Sequence, residues 1–78
     1  MTQDALDPPK LPGLAIETER EEDGRYLAEV PALPGVLVYG ATEGEAVVRA
    51  KALALRVLAE RLEHGEAVPE VAALFQAA

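Results

Sequence analysis

The chain is 78 residues long, carries a formal net charge of −7 and contains no cysteine. That length holds one small domain with a modest core, burying about 60% or a little more of its unfolded surface. The missing thiols exclude disulfides, thiolate zinc sites and a cysteine nucleophile, and no apolar run approaches the roughly 20 residues that span a bilayer.

The acid excess disfavours nucleic acid and suits a basic partner. The alternative is that the charge only keeps the domain soluble. The opening MTQDALDPPK has neither the basic start nor the apolar stretch of a signal peptide, so the expected address is cytoplasmic and no membrane association is expected.

Residues 1–12 hold Asp4, Asp7, Pro8, Pro9 and Pro12 and read as a flexible N-terminal arm, because proline removes backbone donors and blocks helix. The alternative is a strand-like clip onto a neighbouring subunit. The expected single domain runs over residues 13–78. Gly13 to Glu21 alternates, with Leu14, Ile16 and Thr18 on one side and Ala15, Glu17 and Glu19 on the other. Period two with one charged side predicts a half-buried strand. Asp23-Gly24 predicts a hairpin, since glycine tolerates positive φ. Tyr26 to Val30 is the return strand. Pro31 and Pro34 in PALPG break it, and Gly35 frees the exit direction. Val36 to Tyr39 forms a third short strand. It is wholly apolar, which suggests cover on both faces, and Gly40 closes it.

A helix is expected from about Glu43 to Glu63. Thr42 and Glu45 have capping-box spacing, with the Thr42 hydroxyl on the Glu45 amide and the Glu45 carboxylate reaching back to the Thr42 amide. Glu43 and Glu45 suit the positive end of the helix dipole. Gly65 follows as the C-terminal stop. Ala46, Val47, Ala50, Leu53, Ala54, Val57 and Leu58 make one apolar stripe that would cover a sheet, and Glu45, Arg49, Arg56, Glu60 and Glu63 make a charged one.

A second apolar strip exceeds what a helix on a sheet needs. Val48, Leu55 and Leu62 lie seven apart, flanked by Ala52 and Ala59. These five residues are the expected oligomer or partner interface; the alternative is a wide core in which the C-terminal segment covers them. Pro69 starts a further element. Residues from Val71 onward read as either a short helix or a fourth strand, alanine favouring helix.

No catalytic constellation is present. The sequence contains no serine and a single histidine, His64, which sits where a cation complements the helix dipole. With no second histidine and no set of spaced carboxylates, no metal site is expected; no glycine-rich loop carries a lysine for phosphate. The expectation is therefore a non-enzyme without cofactor. Glu17, Glu19 and Glu21 alternate on one strand face, most simply a solvated face.

The ordered set of strand, P-x-L-P-G corner, strand, G-x-T-x-x-E-A and alanine-rich helix resembles the HicB-like antitoxin family. The matching residues are Tyr26, Glu29, Val30, Pro31, Leu33, Pro34, Gly35, Gly40, Thr42, Glu45, Ala46, Ala50 and Leu53, within Ile16 to Gly65. The resemblance implies an α+β fold, β-β-β-α-β. It comprises a three-stranded antiparallel sheet, one long helix across one face and a short fourth strand at about Val71 to Gln76. This is a partial ribonuclease-H-like arrangement without that enzyme's catalytic carboxylates.

Relatives of this kind are commonly oligomeric and occlude a small basic mRNA-cleaving toxin, HicA. The implied role here is such binding, by a homo-oligomer (dimer or tetramer), with Glu17, Glu19 and Glu29 as acidic contacts. The thirteen residues after Gly65 are too few for the appended DNA-binding segment of full antitoxins, so no direct nucleic-acid contact is expected. The position after the corner, often cysteine in relatives, is Val36. The alternative is a toxin-free, self-assembling binding or structural protein.

Overall fold

The computed structural model describes residues 13–72 and Phe75; the arm expected at residues 1–12 lies outside them, as do residues 73, 74 and 76–78. Three strands form one antiparallel sheet in the order β1-β2-β3: β1 is Glu17–Arg20, β2 is Tyr26–Glu29 and β3 is Leu37–Gly40. One long helix, α1 (Glu43–Glu63), lies across a single face, and a helical turn, α2 (Pro69–Ala72), follows. The fold is α+β, as the alternation of strands and the 3.6-residue repeat imply.

The β1–β2 hairpin closes on Glu21 and Arg25. The Glu21 amide donates to the Arg25 carbonyl at 2.8 Å, and the Gly24 amide donates to the Glu21 carbonyl at 3.0 Å. Gly24 has φ of 91°, so the link is a three-residue loop that needs a glycine at its left-handed position. Asp23 tightens it by accepting from the Arg25 amide and guanidinium, and these contacts hold its carboxyl below its ordinary range.

The PALPG corner is two consecutive turns. Leu33 donates to the Val30 carbonyl and Val36 to the Leu33 carbonyl, while the Val30 amide reaches the Val36 carbonyl at 3.0 Å. Gly35, at φ 93°, takes the positive-φ position that a Pro-Gly type II turn requires. The corner's product is a buried leucine: Leu33 points inward between exposed Pro31, Ala32 and Pro34.

Helix α1 spans the expected residues. Thr42 is extended (φ −129°, ψ 162°), and its hydroxyl accepts from the Glu45 amide at 3.0 Å. The reciprocal bond differs from the sequence expectation, because the Glu45 carboxylate takes the Ala41 amide, at 2.7 Å, rather than that of Thr42. A Thr18 hydroxyl bond to the Glu43 carboxylate, 2.7 Å, ties β1 to the same helix end. Thr42→Ala removes the cap acceptor and is expected to lower stability by about 1 kcal/mol, read as a lower urea midpoint at unchanged slope. At the other end Gly65 (φ 80°) donates to Leu62 and Glu66 to Arg61, a Schellman closure with His64 as the cap residue.

The core lies between helix and sheet. Ala46, Ala50, Ala54 and Leu58 of α1 meet Ala28, Val30, Leu33 and Val36, with Val68 and Val71 closing one end. The alanines let the helix approach the sheet closely, and at Gly40 the Ala46 backbone comes so near that an added Cβ would meet it.

Two expectations are corrected. The short fourth strand expected at Val71 to Gln76 is not seen among the described residues: Pro69–Ala72 is helical, the Val71 and Ala72 amides both donating to the Val68 carbonyl, while residues 73, 74 and 76 of that expected strand lie outside them. Proline fits a first helical position, where its missing N–H is not needed. The wholly apolar β3 is covered on one face only. Leu37 and Tyr39 are 46% and 37% exposed, because the single helix covers the other face.

Candidate functional site

Strand alternation and register define the open face of the sheet. Ala28 is fully buried under the helix, so its row partners Thr18 and Val38 share that side and the alternate residues face out. Two rows result. Glu17, Glu29 and Leu37 are aligned across the three strands, and Glu19, Leu27 and Tyr39 form the next row. The face is therefore divided: acidic over β1 and the end of β2, apolar over β3. The structure brings together all three acids singled out in the sequence.

Glu17 stands directly opposite Glu29. Like charges directly opposite on one face are destabilising, and among the described residues no base is paired with either. The two ion pairs found are elsewhere, Asp23–Arg25 at 2.7 Å and Glu45–Arg49 at 3.8 Å. Glu17 and Glu19 are exposed and Glu29 half-buried. Leu27, Leu37 and Tyr39 complete the surface, and the Arg25 guanidinium lies 4.3 Å from the centre of the Tyr39 ring. These neighbours were missed in the sequence. The available signal was the alternation of Leu37 and Tyr39 in β3, which their apolar neighbours concealed.

The second surface is on the opposite layer. Val48, Leu55 and Leu62 are 65%, 60% and 47% exposed, Ala59 is exposed and Ala52 half-buried. At about 100° per residue all five point away from the face carrying Ala46, Ala50 and Ala54. Leu55 stands between two open apolar grooves. One, of about 230 Å³, is bordered by Leu14, Ile16 and Leu58; the other, of about 190 Å³, by Leu62, Val71 and Phe75.

The remaining motif residues are architectural. Pro31, Pro34 and Gly35 are exposed in the corner, Gly40 and Ala46 are buried at the helix–sheet contact, and Thr42 and Glu45 form the cap. Among the described residues no three His, Asp or Glu side chains cluster to hold a metal ion, and no helix is long and apolar enough to cross a membrane.

This geometry defines a small α+β domain with a single helix on a three-stranded sheet, presenting one acidic sheet face and one apolar helix face. Over 51 residues the chain is 43% identical to the UPF0150 protein Ta0767 of Thermoplasma acidophilum, a match covering 64% of this chain and 72% of that protein. The chain belongs to the UPF0150 family. No family model matches it, and no solved structure does.

Proposed function

We infer that the domain acts as an antitoxin-like binder, docking and occluding a small basic partner of the HicA mRNA-cleaving type on the open sheet face. The observation that carries this reading is the convergence of Glu17, Glu19 and Glu29 on one surface beside apolar Leu27, Leu37 and Tyr39. Acids attract and orient a basic chain, and the apolar half supplies area to desolvate. The HicB-like motif order and UPF0150 membership support the same reading as one kinship. The mechanism is steric cover, with no turnover and no cofactor.

The test uses the product of a short basic reading frame beside this gene, titrated against the whole chain by calorimetry at two salt concentrations. The expected result is a complex that weakens as salt rises. The double variant Glu17→Gln/Glu29→Gln is expected to lose about 2 kcal/mol or more, since each docked charge it truncates leaves a partner base unpaired. A wild-type protein that forms no salt-sensitive complex, or a variant that binds as well as wild type, overturns the docking. A second reading, a toxin-free self-assembling protein, is favoured by the exposure of Val48, Leu55 and Leu62.

A further inference from the structure

We propose that Arg49 and Glu45 guard the β3 edge: these two side chains of α1 occupy backbone groups through which another strand would pair with this sheet. The guarded margin is separate from the open sheet face, so the guard does not depend on the toxin reading.

Hydrogen-bond alternation fixes which backbone groups point outward. In an antiparallel ladder, opposed residues alternate between pairs that exchange backbone bonds and pairs that do not. The Val30 amide donates to the Val36 carbonyl. The β2–β3 register carries that parity to Ala28–Val38 and Tyr26–Gly40. Leu37 and Tyr39 therefore turn their N–H and C=O groups away from β2, and Ala41 follows in the same alternation. Two of these outward groups are taken by the helix. Arg49 donates to the Tyr39 carbonyl at 2.9 Å, and Glu45 accepts from the Ala41 amide at 2.7 Å. The guanidinium and the carboxylate lie 3.8 Å apart, which helps hold both over the edge. Strand addition at Tyr39 uses its amide and carbonyl together. With the carbonyl taken, Leu37 alone keeps both groups open, and the turns of the corner lie just before it.

The two edges of the sheet differ in what they need. Strand β1 carries Glu17, Glu19 and Arg20, all exposed, and charges on an edge strand discourage pairing. Strand β3, Leu37–Gly40, has no charge and no proline. Its Leu37 and Tyr39 are 46% and 37% exposed. An apolar edge of that kind is a template for another chain. The charges that β3 lacks come instead from α1, one helical turn apart, and from Arg25 against the Tyr39 ring. The Arg49 side chain is itself 59% exposed, so replacing it leaves the core in place.

Amide hydrogen exchange on the whole chain, read residue by residue at low and high protein concentration, tests the guard. In the wild type the Leu37 and Tyr39 amides are expected to exchange at rates independent of concentration. Arg49→Met keeps the aliphatic stem and the helix propensity but has no donor. In it both amides are expected to slow by about tenfold or more at the higher concentration, as strands add at the edge. Arg56→Ala removes the same charge from the same helix and is expected to match the wild type. Arg49→Lys, which keeps a donor, is expected to restore most of the wild-type behaviour. Concentration-dependent protection of Leu37 and Tyr39 in the wild type, its absence in Arg49→Met, or equal protection in Arg56→Ala overturns the proposal.

Discussion

Replacing Gly40 is expected to damage this domain more than any change on its surface. A Cβ at that position would sit 2.5 Å from the Ala46 nitrogen, 2.9 Å from the Ala46 Cα and 3.1 Å from the Glu45 carbonyl carbon. All three are backbone atoms of the first helical turn, so no rotamer change relieves the clash. The turn must lift off β3, or the end of β3 must shift, and either movement disturbs the Thr42 cap and the Ala46 contact. Overpacking of this kind costs about 1–3 kcal/mol for Gly40→Ala and more for Gly40→Val. A 78-residue domain has in total about 4–12 kcal/mol at the usual 0.05–0.15 kcal/mol per residue.

Gly40→Val is accordingly expected to be largely unfolded, and Gly40→Ala to unfold at markedly lower urea. Gly44, two residues into α1 with open space around its would-be Cβ, is the control. Gly44→Ala is expected to be neutral or stabilising by up to about 1 kcal/mol. If both alanine variants have the wild-type urea midpoint, the close helix–sheet approach is wrong.

Leu33→Ala is expected to cost about 2–5 kcal/mol, toward the upper part of that range. The core is built largely of small residues: Ala28, Ala46, Ala50 and Ala54 are all buried. Leu33, 1% exposed, is one of its few large side chains. Whether a cavity collapses depends on the freedom of its walls. Here the walls are poorly free to move, because Pro31 and Pro34 restrict the corner and three backbone hydrogen bonds link Val30, Leu33 and Val36. Leu37→Ala, on the open face, changes the same chemistry without a cavity and is expected to cost much less. Urea unfolding of the two variants side by side checks the claim. A Leu33→Ala midpoint no lower than that of Leu37→Ala would remove the corner from the core.

Local chemistry along the chain was enough to determine the element order. Period-two alternation before Asp23-Gly24, the Thr42–Glu45 pair and Gly65 place the hairpin and both helix ends, because each rests on contacts within four residues. The heptad of Val48, Leu55 and Leu62 was likewise visible as an excess of apolar surface.

Four features depended on the tertiary arrangement. Which face of β3 is covered depended on there being one helix and not two, so Leu37 and Tyr39 turned out exposed. Pairing Glu17 with Glu29 needed the sheet register, which brings together residues twelve positions apart. Gly24, Gly35 and Gly65 are required by their positive φ, a property of local turns, whereas Gly40 is required by an approaching helix backbone that no local pattern announces. The segment from Pro69 was open between helix and strand in the sequence. The burial of Val71 on the core accompanies a helical turn there, Pro69–Ala72. Local hydrogen bonds and side-chain periodicity are written in neighbouring residues, but exposure and close approach belong to pairs of surfaces, and those exist only once the layers have met.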